Sequence, residues 1–401
     1  MTEVGHYNCM SEQTRLVSKL PDVGTTIFTI MSKMAQDHDA INLSQGFPDF
    51  SVPDELIGLL HKYSSSGYNQ YPPMAGVPYL REQIAAKTAR LYGALVSPET
   101  DVTVTSGATE ALFVAIQAVI KSGDQAIVFD PAYDSYDPAI RLAGGEPVHL
   151  PLMEPDFTVD WDRVRRAINK KTRLIILNTP HNPCGAVFRQ TDLDELSAII
   201  ARHDLYLLSD EVYEHMVYDG LPHQSLLLRD DLRKRSFVVS SFGKTYHATG
   251  WKLAYCIAPE SLTGEFRKIH QFVTFTTHTP TQWAVAEYLE RCPQHYLELP
   301  GFYQAKRDYF LEQLRGSGFA MKPASGTYFQ IADYSSLSNR PDVEFVRYLT
   351  TAVGVAAIPV SVFCNSPLKG RLIRFCFAKE EPTLKTACDR LKDTDRYKNF
   401  T

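Results

Sequence analysis

A lysine that follows a short apolar stretch is the residue in this sequence best suited to nucleophilic chemistry. Lys244 lies in residues 240–245 (SSFGKT), directly after the apolar run 237–239 (FVV). The amine of a lysine can form an imine with an aldehyde. Most lysines that follow a strand are solvated surface residues, however. The interpretation of Lys244 therefore depends on the polar residues that neighbouring strands place near it.

Small polar residues at the start of an apolar helix suggest a phosphate site. Residues 106–109 (SGAT) precede such a helix. Free backbone N–H groups there, together with the hydroxyls of Ser106 and Thr109, suit a phosphate. Small residues are also common helix caps, so this signal is weak by itself. Ser241 and Lys252 would complete the site with a hydroxyl and a cation.

An acidic residue at the end of another apolar stretch points to a cationic ligand. Asp210 follows the run 205–208 (LYLL), where an unpaired carboxylate would be costly. A protonated pyridine nitrogen would be a suitable partner. Asn182 and Tyr213 can bind a phenolic oxygen, and Tyr133 offers a flat face for stacking, although it could simply cap a turn. With an imine-forming lysine, these groups meet the requirements of pyridoxal 5'-phosphate.

Other phosphate, metal and thiol interpretations fail on spacing. Residues 243–245 (GKT) resemble the end of a P-loop, but Val238 stands where its first glycine is required. No dinucleotide-binding glycine pattern follows a strand. The 12 histidines show no metal-ligand spacing, so we predict no metal. The seven cysteines are scattered and odd in number, which is typical of reduced cytosolic thiols.

The elements that must position these residues alternate between apolar stretches and helical patterns from about residue 100. Near-continuous apolar strands separated by helices indicate an α/β fold with a mostly parallel sheet covered on both faces. Ligands bind beyond the carboxyl ends of such strands, where the polar residues occur. The predicted strands are 102–105, 126–129, 173–178, 205–208 and 237–239, and the predicted helices include 79–91, 110–120 and 193–203.

The pattern changes to a mixed α+β order from about residue 295, with strands predicted at 326–331 and 371–377. We therefore predict a large domain over residues 53–294. Residues 1–52 and 295–401 would form an N-terminal arm and a smaller α+β domain. Residues 1 to about 20 are expected to form a loose arm.

Composition excludes several classes of protein. The formal net charge of −5 argues against a nucleic-acid partner. No unbroken apolar run reaches membrane-spanning length, so no membrane partner is expected. The polar segment 1–20 lacks the apolar core of a signal peptide, which predicts a cytoplasmic protein.

Taken together, these motifs resemble those of the fold-type-I, class I and II pyridoxal-phosphate-dependent aminotransferases, and most closely their methionine and kynurenine branch. Each motif alone is unspecific, but the combination is highly specific. The resemblance extends from about residue 20 to the C-terminus and implies a large domain with a mostly parallel central sheet plus a smaller α+β domain. It is carried by residues 42–49 (NLSQGFPD), 178–183 (NTPHNP), 209–213 (SDEVY), 241–245 (SFGKT) and 249–252 (TGWK).

The resemblance implies a role for each matching residue. Lys244 would hold the cofactor as an imine and carry the proton, and Asp210 would keep the pyridine nitrogen protonated. Ala108 stands where other members often carry glycine, but its backbone donor is retained. The ring would be held by Tyr133, Asn182 and Tyr213, the phosphate by Gly107, Ala108, Thr109, Ser241 and Lys252, and the substrate carboxylate by Gly46, Asn182 and Arg374.

Three of the implied assignments have competing interpretations. Arg374 could be a surface strand arginine, as could Arg371 three residues earlier. Tyr71 resembles the tyrosine that reaches the phosphate of a neighbouring subunit, which implies a homodimer with shared active sites. Tyrosine is common at interfaces in any case. His278 would line the side-chain pocket near that interface, although by itself it is typical of a helix-entry residue. His247 is taken as structural.

The implied activity is transfer of an amino group from an L-amino acid to a 2-oxo acid. We find no obvious second arginine to pair with a side-chain carboxylate, which favours neutral, bulky substrates. Methionine is the first choice, with the aromatic amino acids, kynurenine and glutamine as further possibilities. One alternative is a carbon–sulfur β-lyase that uses the same cofactor residues. Another is a non-catalytic regulator, but residues 1–20 are too short for an appended DNA-binding segment.

Overall fold

Twelve strands and fourteen α-helices form the part of the chain that the computed structural model describes, residues 16–393 and Tyr397. The strands are β1 (Ile41–Asn42), β2 (Val102–Thr105), β3 (Gln125–Asp130), β4 (Glu146–Pro151), β5 (Thr172–Asn178), β6 (Tyr206–Asp210), β7 (Ser236–Ser241), β8 (Ala254–Ile257), β9 (Phe329–Asp333), β10 (Val355–Ala356), β11 (Ile358–Pro359) and β12 (Leu372–Cys376). The helices are α1 (Ile27–Asp37), α2 (Asp54–Ser65), α3 (Pro78–Tyr92), α4 (Ala108–Val119), α5 (Tyr136–Leu142), α6 (Trp161–Ala167), α7 (Gln190–Ile200), α8 (Asp230–Arg233), α9 (Phe242–Thr245), α10 (Glu260–Val273), α11 (Thr279–Arg291), α12 (Gln294–Gln313), α13 (Asp342–Tyr348) and α14 (Glu381–Lys392).

The central sheet has seven strands in the order β2-β8-β7-β6-β5-β3-β4. The five strands from β4 to β7 run parallel, whereas β8 lies antiparallel to both β7 and β2. The register aligns the strand ends, because Asn178 lies opposite Asp210 and Asp210 lies opposite Val239. The predicted α/β fold with a mostly parallel sheet is confirmed.

Helices cover both faces of this sheet, which explains why every strand except the edge strand β4 is buried at nearly every position. Successive residues of a strand point to opposite faces. Ile127 and Ile175 accordingly belong to the core that includes residues of α2, α3, α7 and α11. Val128 and Ile176 belong to the core formed with α4, α5 and α10. The sheet is therefore buried on both sides, and its carboxyl edge remains for a ligand.

A further core surrounds the three-stranded antiparallel sheet β11-β12-β9 and includes residues of α1, α13 and α14. Strand β1 joins this part by parallel pairing with β10. Helix α12 contacts two cores, through Tyr296 on the side of the large sheet and through Tyr303 and Phe310 on the other. The predicted domain boundary falls at the start of this helix, and the domain division stays a prediction. Residues 1–15 of the predicted arm lie outside the described residues.

The predicted elements differ from the structure mainly at their ends. Helix α4 begins at Ala108 rather than at residue 110, so that Ala108 and Thr109 belong to its first turn. Helix α7 begins before the predicted residue 193, because Asp192 accepts a hydrogen bond from the backbone N–H of Arg189 and fixes an earlier start. Strands β1, β4, β8, β10 and β11 had no predicted counterpart. Within the described residues, no helix is long and apolar enough to cross a membrane.

Candidate active site

The carboxyl ends of the parallel strands and the start of α4 border a cavity of about 310 Å³. All the site residues that the resemblance implies, except Tyr71 and His278, line it, whereas Ser106 of the predicted phosphate site does not. They come from both the large sheet and the smaller core, since Gly46 and Arg374 lie with β1 and β12. The residues brought together are Gly46, Gly107, Ala108, Thr109, Tyr133, Asn182, Asp210, Tyr213, Ser241, Lys244, Lys252 and Arg374.

Lys244 lies in the single turn α9, which directly follows β7 at the cavity. Its Nζ atom lies 3.3 Å from the carbonyl oxygen of Gly46 and 3.0 Å from the phenolic oxygen of Tyr328. Burial lowers the pKa of Lys244 to about 8, and the positive charges of Lys252 and Arg374 act in the same direction. A sizeable fraction of this amine is therefore neutral near physiological pH and able to accept a proton or attack a carbonyl.

The start of α4 forms an anion site with Lys252. Gly107 precedes the helix with a φ of +85°, and no side chain caps the first N–H groups. A Cβ atom at Gly107 would lie 3.0 Å from Cε of Lys252, so only glycine allows this approach without displacing the lysine. A helix N-terminus and an ammonium group both favour an anion. Ser241 and Thr249 line the same cavity and add hydroxyl groups.

Asp210 ends β6 and is only 4% exposed. Burial raises its pKa to about 6, although hydrogen bonds from Tyr136 and from the backbone of Val212 act in the opposite direction. The hydroxyl of Tyr136 donates to Oδ2 at 2.6 Å, which fixes the orientation of the carboxylate. A buried carboxylate of this kind is stabilised by a cation that lies close to it. The cavity side of Asp210 therefore suits a protonated ring nitrogen.

Arg374 of β12 has no exposed surface, and the interpretation as a surface arginine is therefore wrong for this residue. Its Nη1 donates to Oδ1 of Asn182 at 2.8 Å and its Nη2 to the carbonyl of Ser44 at 2.6 Å. Its buried Nε has no hydrogen-bond partner among the described residues. The guanidinium carbon lies 3.9 Å from the ring centroid of Phe329. Burial lowers the pKa of Arg374 to about 10, so the cation persists, and the structure gives it no salt bridge among the described residues, although the charge of Asp134 acts on it.

The two predicted ring-binding tyrosines remain neutral phenols. Tyr133 interacts with the hydroxyl of Thr109, and burial raises its pKa. Burial also raises the pKa of Tyr213, whose ring lies 5.1 Å from that of Tyr328 in an edge-to-face arrangement. Both phenols therefore stay protonated at neutral pH and can donate to an anionic oxygen.

Tyr71 and His278 lie outside the cavity of this chain. Tyr71 is 84% exposed and packs its ring edge-to-face on Phe275 at 5.6 Å. His278 occupies the N-cap position of α11, where Nδ1 lies 2.6 Å from Oγ1 of Thr281. The isolated interpretation of His278 as a helix-entry residue agrees with this position. The roles that the resemblance gave to both residues need a second subunit and stay predictions.

Sequence analysis gave no individual role to several residues around the cavity. Tyr136 and Tyr328 contact Asp210 and Lys244 through their hydroxyls, and the Ser44 carbonyl contacts Arg374. Phe28 of α1 lies 5.3 Å from the guanidinium carbon of Arg374. Tyr136 stands three positions after Tyr133, which is the one local hint that sequence reasoning could have used. The others come from distant parts of the chain.

Comparison with known proteins assigns the family. The family model for aminotransferase class I and II matches residues 38–391. The chain belongs to this family, and its fold is that of the fold-type-I pyridoxal-phosphate-dependent aminotransferases. The chain is thus an aminotransferase.

Among its relatives, methionine aminotransferase from Escherichia coli is 52% identical over 375 residues, which cover 94% of this chain and 97% of that protein. Kynurenine–oxoglutarate transaminase 1 from Rattus norvegicus is 33% identical over 93% of this chain and 96% of its own length. The crystal structure of YbdL from Escherichia coli, with a methionine aminotransferase function, superposes with a TM-score of 0.93 at 52% identity. This superposition covers 94% of the present chain and 99% of the YbdL chain. N-succinyldiaminopimelate aminotransferase from Mycobacterium tuberculosis superposes with a TM-score of 0.91 at 38% identity, over 95% of this chain and 100% of that chain.

Proposed function

We propose that this aminotransferase uses pyridoxal 5'-phosphate to move the amino group of L-methionine, or of another neutral and bulky L-amino acid, to a 2-oxo acid. The observation that carries the proposal is the arrangement of one cavity. It brings together a lysine amine, a buried carboxylate, an anion site at a helix start and a buried arginine whose Nε has no partner among the described residues. The 52% identity to a methionine aminotransferase supports methionine as the first choice.

The residues present fit the proposed cofactor at each of its functional groups. Lys252 and the uncapped start of α4 suit the phosphate, and Asp210 suits the protonated pyridine nitrogen. Tyr213 and Asn182 line the same cavity and suit the ring oxygen, while Tyr133 suits the ring face. When bound, pyridoxal phosphate supplies an aldehyde for amine exchange and an electron-withdrawing ring that acidifies the substrate α-carbon.

The side chains of this chain then have separable tasks in amino transfer. Arg374 grips the substrate carboxylate through its free Nε donor and turns the α-carbon toward Lys244. Lys244, with a pKa of about 8, accepts the α-proton on its neutral amine and returns a proton later. Asp210 supplies a fixed negative charge within the same cavity. Binding and orientation thus depend on Arg374, and proton movement on Lys244.

The cavity favours a neutral substrate side chain. The cations among its lining residues are Lys244, Lys252 and Arg374, and each already has a task. Phe28 and Phe47 add apolar surface to the lining. A second carboxylate on the substrate would find no further arginine among the described lining residues, so an acidic side chain would be buried without a partner.

A single spectroscopic experiment tests cofactor, half-reaction and substrate class together. The purified protein, loaded with pyridoxal phosphate, should show a visible band that L-methionine bleaches without an acceptor, with one equivalent of the 2-oxo acid formed. D-Methionine and the variant Lys244→Ala are the controls, and neither should give product. A colourless protein that takes up no pyridoxal phosphate would refute the proposal. Bleaching by kynurenine or phenylalanine but not methionine would retain the mechanism and reassign the substrate.

The same protein distinguishes the β-lyase alternative. Release of pyruvate and ammonia from a cysteine S-conjugate, without a 2-oxo acid acceptor, would show carbon–sulfur cleavage.

We further propose a homodimer with shared active sites. The exposed aromatic pair of Tyr71 and Phe275 supports a subunit contact at this face. We also propose a large domain over 53–294, with 1–52 and 295–401 forming the arm and the smaller domain.

A further inference from the structure

The hydroxyl of Tyr328 forms hydrogen bonds with both the amine of Lys244 and the backbone carbonyl of Gly46. The residue has no exposed surface and comes from the smaller core, directly before β9. Its hydroxyl donates to the Gly46 carbonyl at 2.6 Å. The Lys244 amine donates to the hydroxyl oxygen of Tyr328 at 3.0 Å and lies 3.3 Å from the same carbonyl. Polar groups from two distant segments therefore converge on the nitrogen of Lys244.

The direction of these hydrogen bonds follows from the number of protons available. Tyr328 has one hydroxyl proton, and the Gly46 carbonyl can only accept. The hydroxyl of Tyr328 donates to Gly46 at 2.6 Å and also interacts with the hydroxyl of Tyr213, while its oxygen faces Lys244 as an acceptor. Burial raises the pKa of Tyr328 well above its usual value, so that this proton stays in place. Tyr328 is thus not an acid toward Lys244.

A neutral amine carries two N–H bonds and one lone pair. Two acceptors, the oxygens of Gly46 and Tyr328, lie 2.6 Å apart on the same side of this nitrogen, where they can receive its N–H bonds. When both N–H bonds face these oxygens, the lone pair points away from them on a nitrogen that lines the cavity. We propose that Tyr328 is a positioning residue for amino transfer, which holds the Lys244 amine so that its lone pair is directed into the cavity toward the substrate α-carbon. This inference rests on the proposed function.

The proton count of the step balances under this arrangement. The lone pair of Lys244 accepts the α-proton, and the electron pair of the broken C–H bond stays on the substrate. The nitrogen becomes an ammonium with a third N–H bond, while the two original N–H bonds remain donated to Gly46 and Tyr328. Without the Tyr328 oxygen, the amine is free to rotate an N–H bond into the cavity, and fewer encounters are productive.

The first test uses the cofactor-free protein and needs no turnover. Acetic anhydride labels neutral lysine amines, so the extent of Lys244 acetylation against pH, read by mass spectrometry, gives its pKa. We expect a pKa of about 8 in the wild type. In Tyr328→Phe the pKa should fall by about half to one unit, because an oxygen that accepts from the ammonium more strongly than from the amine is lost.

The matched control is Tyr303→Phe. Tyr303 is also fully buried, its ring lies 5.7 Å from that of Tyr328, and its hydroxyl lies 3.1 Å from Nδ1 of His247 rather than near Lys244. This variant loses one buried phenol oxygen but should leave the pKa of Lys244 unchanged. Thermal unfolding checks both proteins. Should Tyr328→Phe fail to fold, Tyr328→Leu also lacks the acceptor and replaces it in the labelling measurement.

The second test uses the loaded enzyme and α-deuterated L-methionine. Tyr328→Phe should lower kcat of the methionine half-reaction by about 10- to 100-fold, leave KM within about twofold and increase the deuterium isotope effect. Tyr303→Phe should match the wild type in all three. A wild-type pKa of Lys244 together with a wild-type kcat in Tyr328→Phe would overturn the inference. Failure of the wild type to bind pyridoxal phosphate would instead refute the proposed function, and the labelling would still decide the role of Tyr328.

Discussion

The guanidinium of Arg374 is held firmly in the fold, but not all of its hydrogen-bond donors have a partner among the described residues. Its guanidinium is buried against Phe329, donates to Asn182 and the Ser44 carbonyl, and retains a buried Nε without a partner among the described residues. Burying a cation without an anion is costly, and this cost is what a substrate carboxylate would relieve. Arg374, which is buried, is therefore a stronger candidate for substrate binding than Arg371, which is exposed.

This geometry predicts the effect of a conservative change. Arg374→Lys keeps the charge but loses the planar fork, so it cannot hold Asn182, the Ser44 carbonyl and a carboxylate together. We expect KM for methionine to rise by about 10- to 100-fold with a smaller change in kcat. Arg371→Lys, on the exposed neighbour, is the control and should change neither value. Equal kinetics for the two variants would show that Arg374 does not bind the substrate. Steady-state assays at saturating acceptor measure both.

At the scale of elements, sequence patterns predicted which residues lie together at the ends of neighbouring strands. They did not predict contacts between segments that are far apart in the sequence. The motifs after β5, β6 and β7 lie together because parallel strands share a carboxyl edge, which periodicity reveals. Tyr328 reaches Lys244 across 84 residues of sequence, a contact that no local pattern encodes. Strand β8 was also missed, although β2, which is equally short and also antiparallel, was predicted.

The start of helix α4 allows a prediction of how a methyl group added at Gly107 would change the affinity of the proposed phosphate site. Gly107→Ala places a Cβ about 3.0 Å from Cε of Lys252 and forces a side chain into a φ of +85°. We expect affinity for pyridoxal phosphate to fall by at least about 10-fold. Gly123→Ala is the matched control, because it has the same φ of +85° but open space around it. A similar loss of affinity in both variants would attribute the effect to backbone strain alone. Titration of the cofactor-free proteins measures it.

A buried ion pair joins helix α3 to the ends of the sheet strands near the cavity. Lys87 donates to Glu214 at 2.6 Å, and both side chains are 4% exposed. Tyr92, Ser240 and Tyr255 also donate to this carboxylate. Glu214 directly follows one candidate site residue, Tyr213, and Ser240 directly precedes another, Ser241, so this network sets the positions of both.

Removing the cation from this network should destabilise the fold. Lys87→Met leaves the buried carboxylate of Glu214 without its cation, and we expect the free energy of unfolding to fall by about 3–5 kcal/mol. Lys62→Met, which breaks the more exposed pair with Glu287, should cost at most about 1 kcal/mol. Urea unfolding at pH 7 compares the two. Equal losses in the free energy of unfolding would show that the buried pair contributes no more to stability than the exposed pair.

The same network has a defined pH dependence. Burial alone would raise the pKa of Glu214, but the charge of Lys87 and the hydrogen bonds outweigh it and hold the pKa far below its usual value. A depressed acid contributes stability that is fully present above its unfolded pKa, about 4.5, and is lost as the pH falls toward its folded value. The wild type should therefore lose stability below about pH 4.5 more steeply than Lys87→Met does, as urea unfolding between pH 3 and 7 would show.

At the scale of the whole molecule, the cavity of one chain leaves two predicted site residues unused. Tyr71 is 84% exposed and forms an aromatic pair at the surface with Phe275, which is 43% exposed. Exposed aromatic clusters of this kind mark contacts with another protein. A second copy that covers this surface would bring a tyrosine to the neighbouring cavity, as the resemblance implies, and closed twofold dimers are the commonest way for identical chains to do so.

Mixing two inactive variants tests this arrangement directly. Lys244→Ala lacks the reactive amine, and Tyr71→Ala lacks the tyrosine donated to the partner subunit. In a mixed dimer one cavity carries both defects and the other carries neither, so unfolding and refolding the two together should restore about a quarter of wild-type activity. Refolding each variant alone should restore none, which is the control. If the mixture stays as inactive as its components, each active site is complete within one chain, and the shared-site proposal is wrong.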